Sequence, residues 1–172
     1  MLYAEYINAS AARHAVPPEL IAGVIASESA FNPRAYRAEP QIGDASRGLM
    51  QLLERTARAL GYEGAPEGLY DPRLNVELGT RLLRQNFNVA RAAAPLATDH
   101  EIWTRALSAY NAGFSTVRPG DVKRDQGGQI INQPYIDRVR RWAARFSPAG
   151  PVLGALAVGL MVWIAWKYGR RV

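Results

Sequence analysis

The sequence of 172 residues contains no cysteine, two histidines and two lysines. Without cysteine there are no disulfides, no thiolate nucleophile and no Cys-based zinc site, although the compartment stays open. His14 and His100 stand far apart without a companion ligand set, so no metal is expected, and no cofactor is either. Strand-like alternation is also scarce, limited to a possible short strand at 129–131, and no internal repeat is found. Acidic residues are outnumbered, 15 against 21 basic ones, which gives a net charge of +6 and favours anionic partners such as cell-wall polymers or phospholipid headgroups. Nucleic acid is not expected. The 19 arginines are scattered singly over polar helix faces, with no dense basic arm and no aromatic-interleaved strand.

Charge is missing altogether from residues 147–166. At 1.5 Å per residue, 20 helical residues extend for about 30 Å, the thickness of a hydrocarbon core. Trp163, Trp166 and Tyr168 stand beside Lys167, Arg170 and Arg171, as an aromatic belt followed by cations would. The sequence therefore predicts a transmembrane helix at 151–168, a joint at 147–150 and a basic tail at 169–172. Gly150, Gly154, Ala155 and Gly159 offer small-residue spacing for helix-mediated self-association. Residues 1–15 lack the apolar centre of a signal peptide, so insertion by the tail is expected. A lipid membrane is thus an expected partner, with the preceding domain facing outward.

Residues 1–146 read as helices. Tyr3, Ile7 and Ala11 mark the first, and Pro17-Pro18 opens a second over 18–30 that Asn32-Pro33 stops. Leu49, Leu52, Leu53 and Leu60 suggest a helix ending at Gly61. Asp71-Pro72 is a cap and first-turn proline for a helix through Leu74, Leu78, Leu82 and Phe87. Gly79 inside it costs about 1 kcal/mol relative to alanine, which points to close packing there. Thr98 and Glu101 have capping-box spacing ahead of a helix to Tyr110. A loop follows from 111 to 132, and a last helix puts Tyr135, Val139, Trp142 and Phe146 on one side. The expected fold class is all-α.

One residue is misplaced for a simple helix. Glu28 follows Leu20, Ile21, Val24 and Ile25, seven after Ile21 and four after Val24, so it shares their face. Buried there, a carboxyl has its pKa raised toward the range that suits a general acid. A last-turn glutamate tipped into solvent is the blander possibility.

Three separated motifs decide the reading. Glu28-Ser29-Ala30-Phe31-Asn32-Pro33, then Ser46-Arg47-Gly48-Leu49-Met50-Gln51-Leu52, then Ala109-Tyr110-Asn111-Ala112-Gly113, in this order, resemble the lytic transglycosylase domain related to goose-type lysozyme. Asp71, Asn75, Val76 and Gly79 fit the family's next helix, and Tyr135-Ile136 resembles its closing tyrosine motif. The resemblance covers residues 1–146 and implies a lysozyme-like helical domain acting on peptidoglycan glycan strands. It implies that Glu28 is the catalytic residue, donating a proton to the MurNAc-GlcNAc linkage and then accepting one from the MurNAc C6 hydroxyl to give a 1,6-anhydro product.

The remaining roles follow by matching position. Ser29 would orient the glutamate or a peptide-bearing sugar, and Gly48 would let backbone approach the sugar. Met50 would line the cleft, and Gln51 would hydrogen-bond an N-acetyl or hydroxyl group. Tyr110 would reach the carboxyl or the sugar, Asn111 would bind an acetamido carbonyl, and Tyr135 completes the substrate-binding set. Asp44 admits two roles: a water-positioning carboxylate that makes the enzyme a hydrolytic lysozyme, or an ordinary loop cap in Gly43-Asp44-Ala45-Ser46. Two readings without catalysis also fit the chain: a membrane-anchored wall-binding module, and a pore-forming lysis protein acting through its tail. A phage particle containing a membrane and a bacterial inner membrane are both suitable settings.

Overall fold

The computed structural model describes residues 2–112, 124 and 129–147. Helix α1 spans Ala4–His14 and α2 spans Pro18–Ser29, the latter opened by proline in its first turn. Three short strands follow, β1 (Tyr36–Glu39), β2 (Asp44–Arg47) and β3 (Leu52–Leu53), then α3 (Glu54–Ala59). The long α4 covers Pro72–Ala93, α5 Asp99–Ala112 and α6 Gln133–Phe146. Asp71 accepts from the Leu74 N–H at 2.7 Å. The Thr98 hydroxyl and Glu101 carboxylate cap α5 reciprocally, as their spacing indicates.

Helix α2 is the hub. Every residue from Leu20 to Ala26 is buried, so the helix is apolar all round rather than on one stripe. Its four large aliphatic side chains each contribute about 2 kcal/mol on burial, which offsets the cost of a carboxyl carried into the same interior. Helix α6 crosses it closely because Gly23 has no side chain: a Cβ there would lie 2.5 Å from the Val139 carbonyl. Helices α1, α4 and α5 enclose the remaining sides, and Ile7, Ile21, Leu83, Ile102, Leu107 and Ile136 form the shared core. A smaller cluster of Leu52, Ala57, Leu60, Leu69 and Leu78 seats α3 on α4.

Three expectations are corrected. The domain is helical and lysozyme-like but not all-α, because β1, β2 and β3 form an antiparallel sheet in that order, with Arg37 opposite Ser46 and Arg47 opposite Leu52. The helix read from Leu49 to Gly61 begins only at Glu54. Gln51 has φ 48, which breaks a right-handed helix, and Leu52–Leu53 pairs with β2 instead. A turn, a strand and a short helix thus share what reads as one leucine stripe. Residues 129–131 form no named strand, only an isolated bridge from Arg124 to Ile130.

Gly79 does permit close packing. An added Cβ would stand 2.4 Å from the Met50 sulfur. Among the described residues no helix is long and apolar enough to cross a membrane. The expected joint, span and basic tail over 148–172 lie outside the described residues, as does most of the 111–132 loop.

Candidate active site

A cleft of about 970 Å³ runs between the small sheet with α3 and the C-terminal end of α5. Glu28 enters it from the last turn of α2. The chain then turns sharply through Ala30 and Phe31, both with positive φ (50° and 63°). Neither is glycine, and two consecutive residues in this region are held only where the surroundings over-determine them. Here Phe31 packs edge-on against Phe146 of α6 at 5.7 Å.

The turn from Gly48 to Gln51 lies beneath the cleft and is clamped from three directions. Ser29 Oγ donates to the Leu49 carbonyl at 2.8 Å. Tyr110 Oη donates to the Met50 carbonyl at 2.8 Å. Asn75, fully buried on α4, accepts from the Met50 N–H at 2.7 Å and donates from Nδ2 to the Arg47 and Leu69 carbonyls. Gly48 has φ 77, and a Cβ on it would lie 2.4 Å from both Asn75 Nδ2 and the Leu69 carbonyl. Buried main-chain groups in a turn need such partners, and these side chains supply them.

Burial of Glu28 among apolar neighbours pushes its pKa up, the largest influence on it. Its seat at a helix C-terminus also disfavours a negative charge. The Tyr135 hydroxyl beside it, and the more distant Arg37 and Arg138, pull the other way. That hydroxyl is buried without a hydrogen bond of ordinary geometry inside the protein. Both tyrosines near the acid, Tyr110 and Tyr135, are held well above the usual phenol range, first by burial and then by the Glu28 charge. The result is one carboxyl poised to be protonated, flanked by phenols that stay neutral.

Over residues 5–132 the chain matches the family described as Transglycosylase SLT domain. It belongs to that family.

Within the family, the chain is 36% identical over 149 residues to the transglycosylase of Enterobacteria phage PRD1, covering 87% of this chain and 46% of that protein. It is 31% identical over 149 residues to membrane-bound lytic murein transglycosylase C of Haemophilus influenzae (81% and 39% covered). To the Actinobacillus pleuropneumoniae protein of the same name it is 33% identical over 150 residues (81% and 38%). The chain thus spans less than half the length of these relatives. In fold it is similar to an X-ray structure of lytic transglycosylase Slt from Pseudomonas aeruginosa, with a TM-score of 0.61 at 22% identity, covering 90% of this chain and 25% of that one.

The SLT domain brings together most of the residues expected at its site, though not always in the expected attitude. Glu28, Gln51, Tyr110 and Asn111 line the cleft. The Met50 side chain does not: it is fully buried against Gly79, and only its backbone serves the site. Gly48 gives room to Asn75 and the Leu69 carbonyl rather than to the cleft. Ser29 holds the Leu49 and Ile25 carbonyls, so it fixes the turn and not the carboxyl. Tyr135 lies behind Glu28 in the core. Gln51 already donates from Nε2 to the Ala35 and Gly48 carbonyls, which leaves its side-chain oxygen for other partners.

Asp44 takes the loop-cap role. Its carboxylate accepts from the N–H groups of Ala45, Glu54 and Arg55, the last two opening α3, and lies 3.8 Å from the Arg47 guanidinium. Burial alone would raise its pKa, but these donors together lower it. Sequence reasoning missed Asn75 as the clamp, reading it only as part of a helix pattern. It also missed Arg37, Glu39 and Ser46, which line the cleft through a hairpin not foreseen.

Proposed function

We propose that the chain is a peptidoglycan lytic transglycosylase with Glu28 as its single acid and base. The observation that carries this reading is the carboxyl of Glu28, desolvated at the end of a helix buried from Leu20 to Ala26 yet lining a cleft of about 970 Å³. The protonated carboxyl gives its proton to the oxygen linking MurNAc to GlcNAc, and the C1–O bond breaks with a free hydroxyl on the departing sugar. The MurNAc C6 hydroxyl closes onto C1, and its proton goes to the Glu28 carboxylate. No water is consumed, and the acid is restored. A second carboxylate near the acid, as ordinary glycoside hydrolysis requires, is not needed.

Around it, Tyr135 would donate to the carboxylate while the proton is away, and Tyr110, Asn111 and Gln51 would bind the glycan. Asp44, engaged by three backbone donors, is poorly placed to hold a water, which favours transglycosylation over hydrolysis. A module that only binds wall has no use for an acid whose pKa is raised by burial. Anchoring by residues 151–168 rests on the uncharged run in the sequence, and two of the relatives are named as membrane-bound enzymes. This suits local wall opening by a phage with a membrane or remodelling at a bacterial inner membrane.

Mass spectrometry of muropeptides released from purified peptidoglycan by this chain, beside Glu28→Gln, tests the reading. Anhydro-MurNAc ends that vanish in the variant are expected. Reducing MurNAc ends would overturn the transglycosylase step in favour of hydrolysis, and no release by either protein would favour a binding module.

A further inference from the structure

The sheet side of the cleft carries an ion pair that stability does not explain. Arg37 and Glu39 stand two apart on β1 and therefore share a face. Arg37 Nε donates to Glu39 Oε1 at 2.7 Å. Gln41 Nε2 donates to the other carboxylate oxygen at 2.8 Å, and Ser46, opposite Arg37 on β2, adds a longer contact of 3.4 Å. All four residues line the cleft. The Arg37 side chain is 61% exposed, and pairs that open contribute about 0–1 kcal/mol.

What the arrangement does is aim a guanidinium. Glu39 is itself gripped from two sides, and it takes only the Nε edge of Arg37. Among the described residues neither Nη of Arg37 has a partner, so the end that matches a carboxylate two-to-two is left free. Among the described residues the cleft's other lining arginine, Arg55 on α3, has no acceptor of this kind to fix it. Among the described residues the acids lining the cleft are Glu28 and Glu39, and the field of Arg37 is felt at Glu28, so guanidinium and acid act in one space.

The inference rests on the glycan reading above. A peptidoglycan strand bears a lactyl group on every second sugar, ending in a free carboxylate or continuing into a peptide with carboxylates of its own. We infer that Arg37, aimed by Glu39, determines the specificity of this cleft by binding a carboxylate of the glycan strand through its free Nη edge. Glu39 is then a positioning residue.

The test uses the full chain carrying Glu28→Gln as parent, so that binding is read without cutting. Parent, Arg37→Gln, Arg37→Lys and Glu39→Gln are titrated against peptide-bearing glycan strands, the same strands stripped of peptide by an amidase, and N-acetylglucosamine oligomers, which have acetamido groups but no carboxylate. Arg37→Gln is expected to weaken binding of a carboxylate-bearing strand about tenfold or more, the loss of a charge-assisted pair, while the oligomers bind as to the parent. A loss confined to peptide-bearing strands identifies the peptide carboxylate, and a loss on stripped strands identifies the lactyl one. Arg37→Lys should restore part of the selectivity, and Glu39→Gln should lose part of it. With Glu28 intact, Arg37→Gln should raise KM more than it lowers kcat.

Unchanged binding of all three probes overturns the inference. So does an equal loss on all three, which would mean a damaged hairpin. If the parent binds none of them while the wild-type chain releases no muropeptide, the glycan reading itself fails and takes this assignment with it. Wild-type release of muropeptides with no difference at Arg37 sinks the inference alone.

Discussion

Tyr110 donates its hydroxyl to the carbonyl of Met50 at 2.8 Å, joining the end of α5 to a turn 60 residues earlier. The same turn receives Ser29 from α2 and Asn75 from α4. Three stretches that resemble family motifs separately are therefore one hydrogen-bonded assembly. Glu28 is adjacent to Ser29, so the assembly holds the backbone that carries the acid.

Tyr110→Phe removes that hydrogen bond and leaves the Met50 carbonyl without its donor. A stability loss of about 1 kcal/mol in urea unfolding is expected. Muropeptide release should fall further than this loss accounts for, because the phenol also lines the cleft beside Glu28. Activity equal to wild type would remove Tyr110 from the site.

Asn75→Ala orphans the Met50 N–H and the Arg47 and Leu69 carbonyls at once. Buried groups left unsatisfied cost about 1–3 kcal/mol each before relaxation, so a total of about 3 kcal/mol or more is expected. Asn75→Asp keeps the acceptor for Met50 but sets a buried carboxylate oxygen against the Arg47 and Leu69 carbonyls, so it should be at least as destabilising as Asn75→Ala in the same unfolding experiment.

Gly48→Ala and Gly43→Ala form a controlled pair, because both glycines have positive φ (77° and 64°). A Cβ at Gly43 meets nothing within 4 Å, whereas one at Gly48 meets Asn75 and a backbone carbonyl at 2.4 Å. Gly43→Ala should cost only the conformational strain, about 1 kcal/mol. Gly48→Ala should cost several times that in thermal unfolding. Equal losses would show that the turn has room to move.

Glu28→Gln separates activity from stability by pH. Burial raises the folded-state pKa above 4.5, so the native protein holds this proton more tightly than the unfolded chain. The stability this gives is full below about pH 4.5 and lost as pH rises through the folded value. The variant should therefore be more stable than wild type at neutral pH, with the gain fading toward pH 4. Wild-type kcat/KM should likewise decline as pH rises through the pKa of Glu28, because the proton donor is consumed.

Glu77 behaves oppositely. On α4 it accepts from Ser10, Arg13 and His14 of α1, and these donors override burial and draw its pKa down to about 2. Its contribution is present above about pH 4.5 and lost as pH falls from there toward 2. Glu77→Gln should lower the melting temperature at pH 7, with the difference closing in acid. A constant difference down to pH 2 would mean that α1 is held by packing alone.

Helices that carry their own punctuation are legible in the sequence, as is the order of the motifs. Pro17-Pro18, Asp71-Pro72 and the Thr98–Glu101 box mark α2, α4 and α5 because caps and first-turn prolines act within four residues of a helix start. Glu28 is legible for the same local reason, an acid at the end of an apolar helix. The hairpin is not, since its strands have four residues each and pair through backbone groups that any side chain can carry. Folding alone makes a turn of Leu49 and Met50, because Ser29, Asn75 and Tyr110 reach it from 20, 25 and 60 residues away. Folding also makes Asp44 the cap of α3 and brings Arg37 into the same cleft as the acid. These outcomes depend on which distant groups are left to satisfy, and local periodicity does not contain that information.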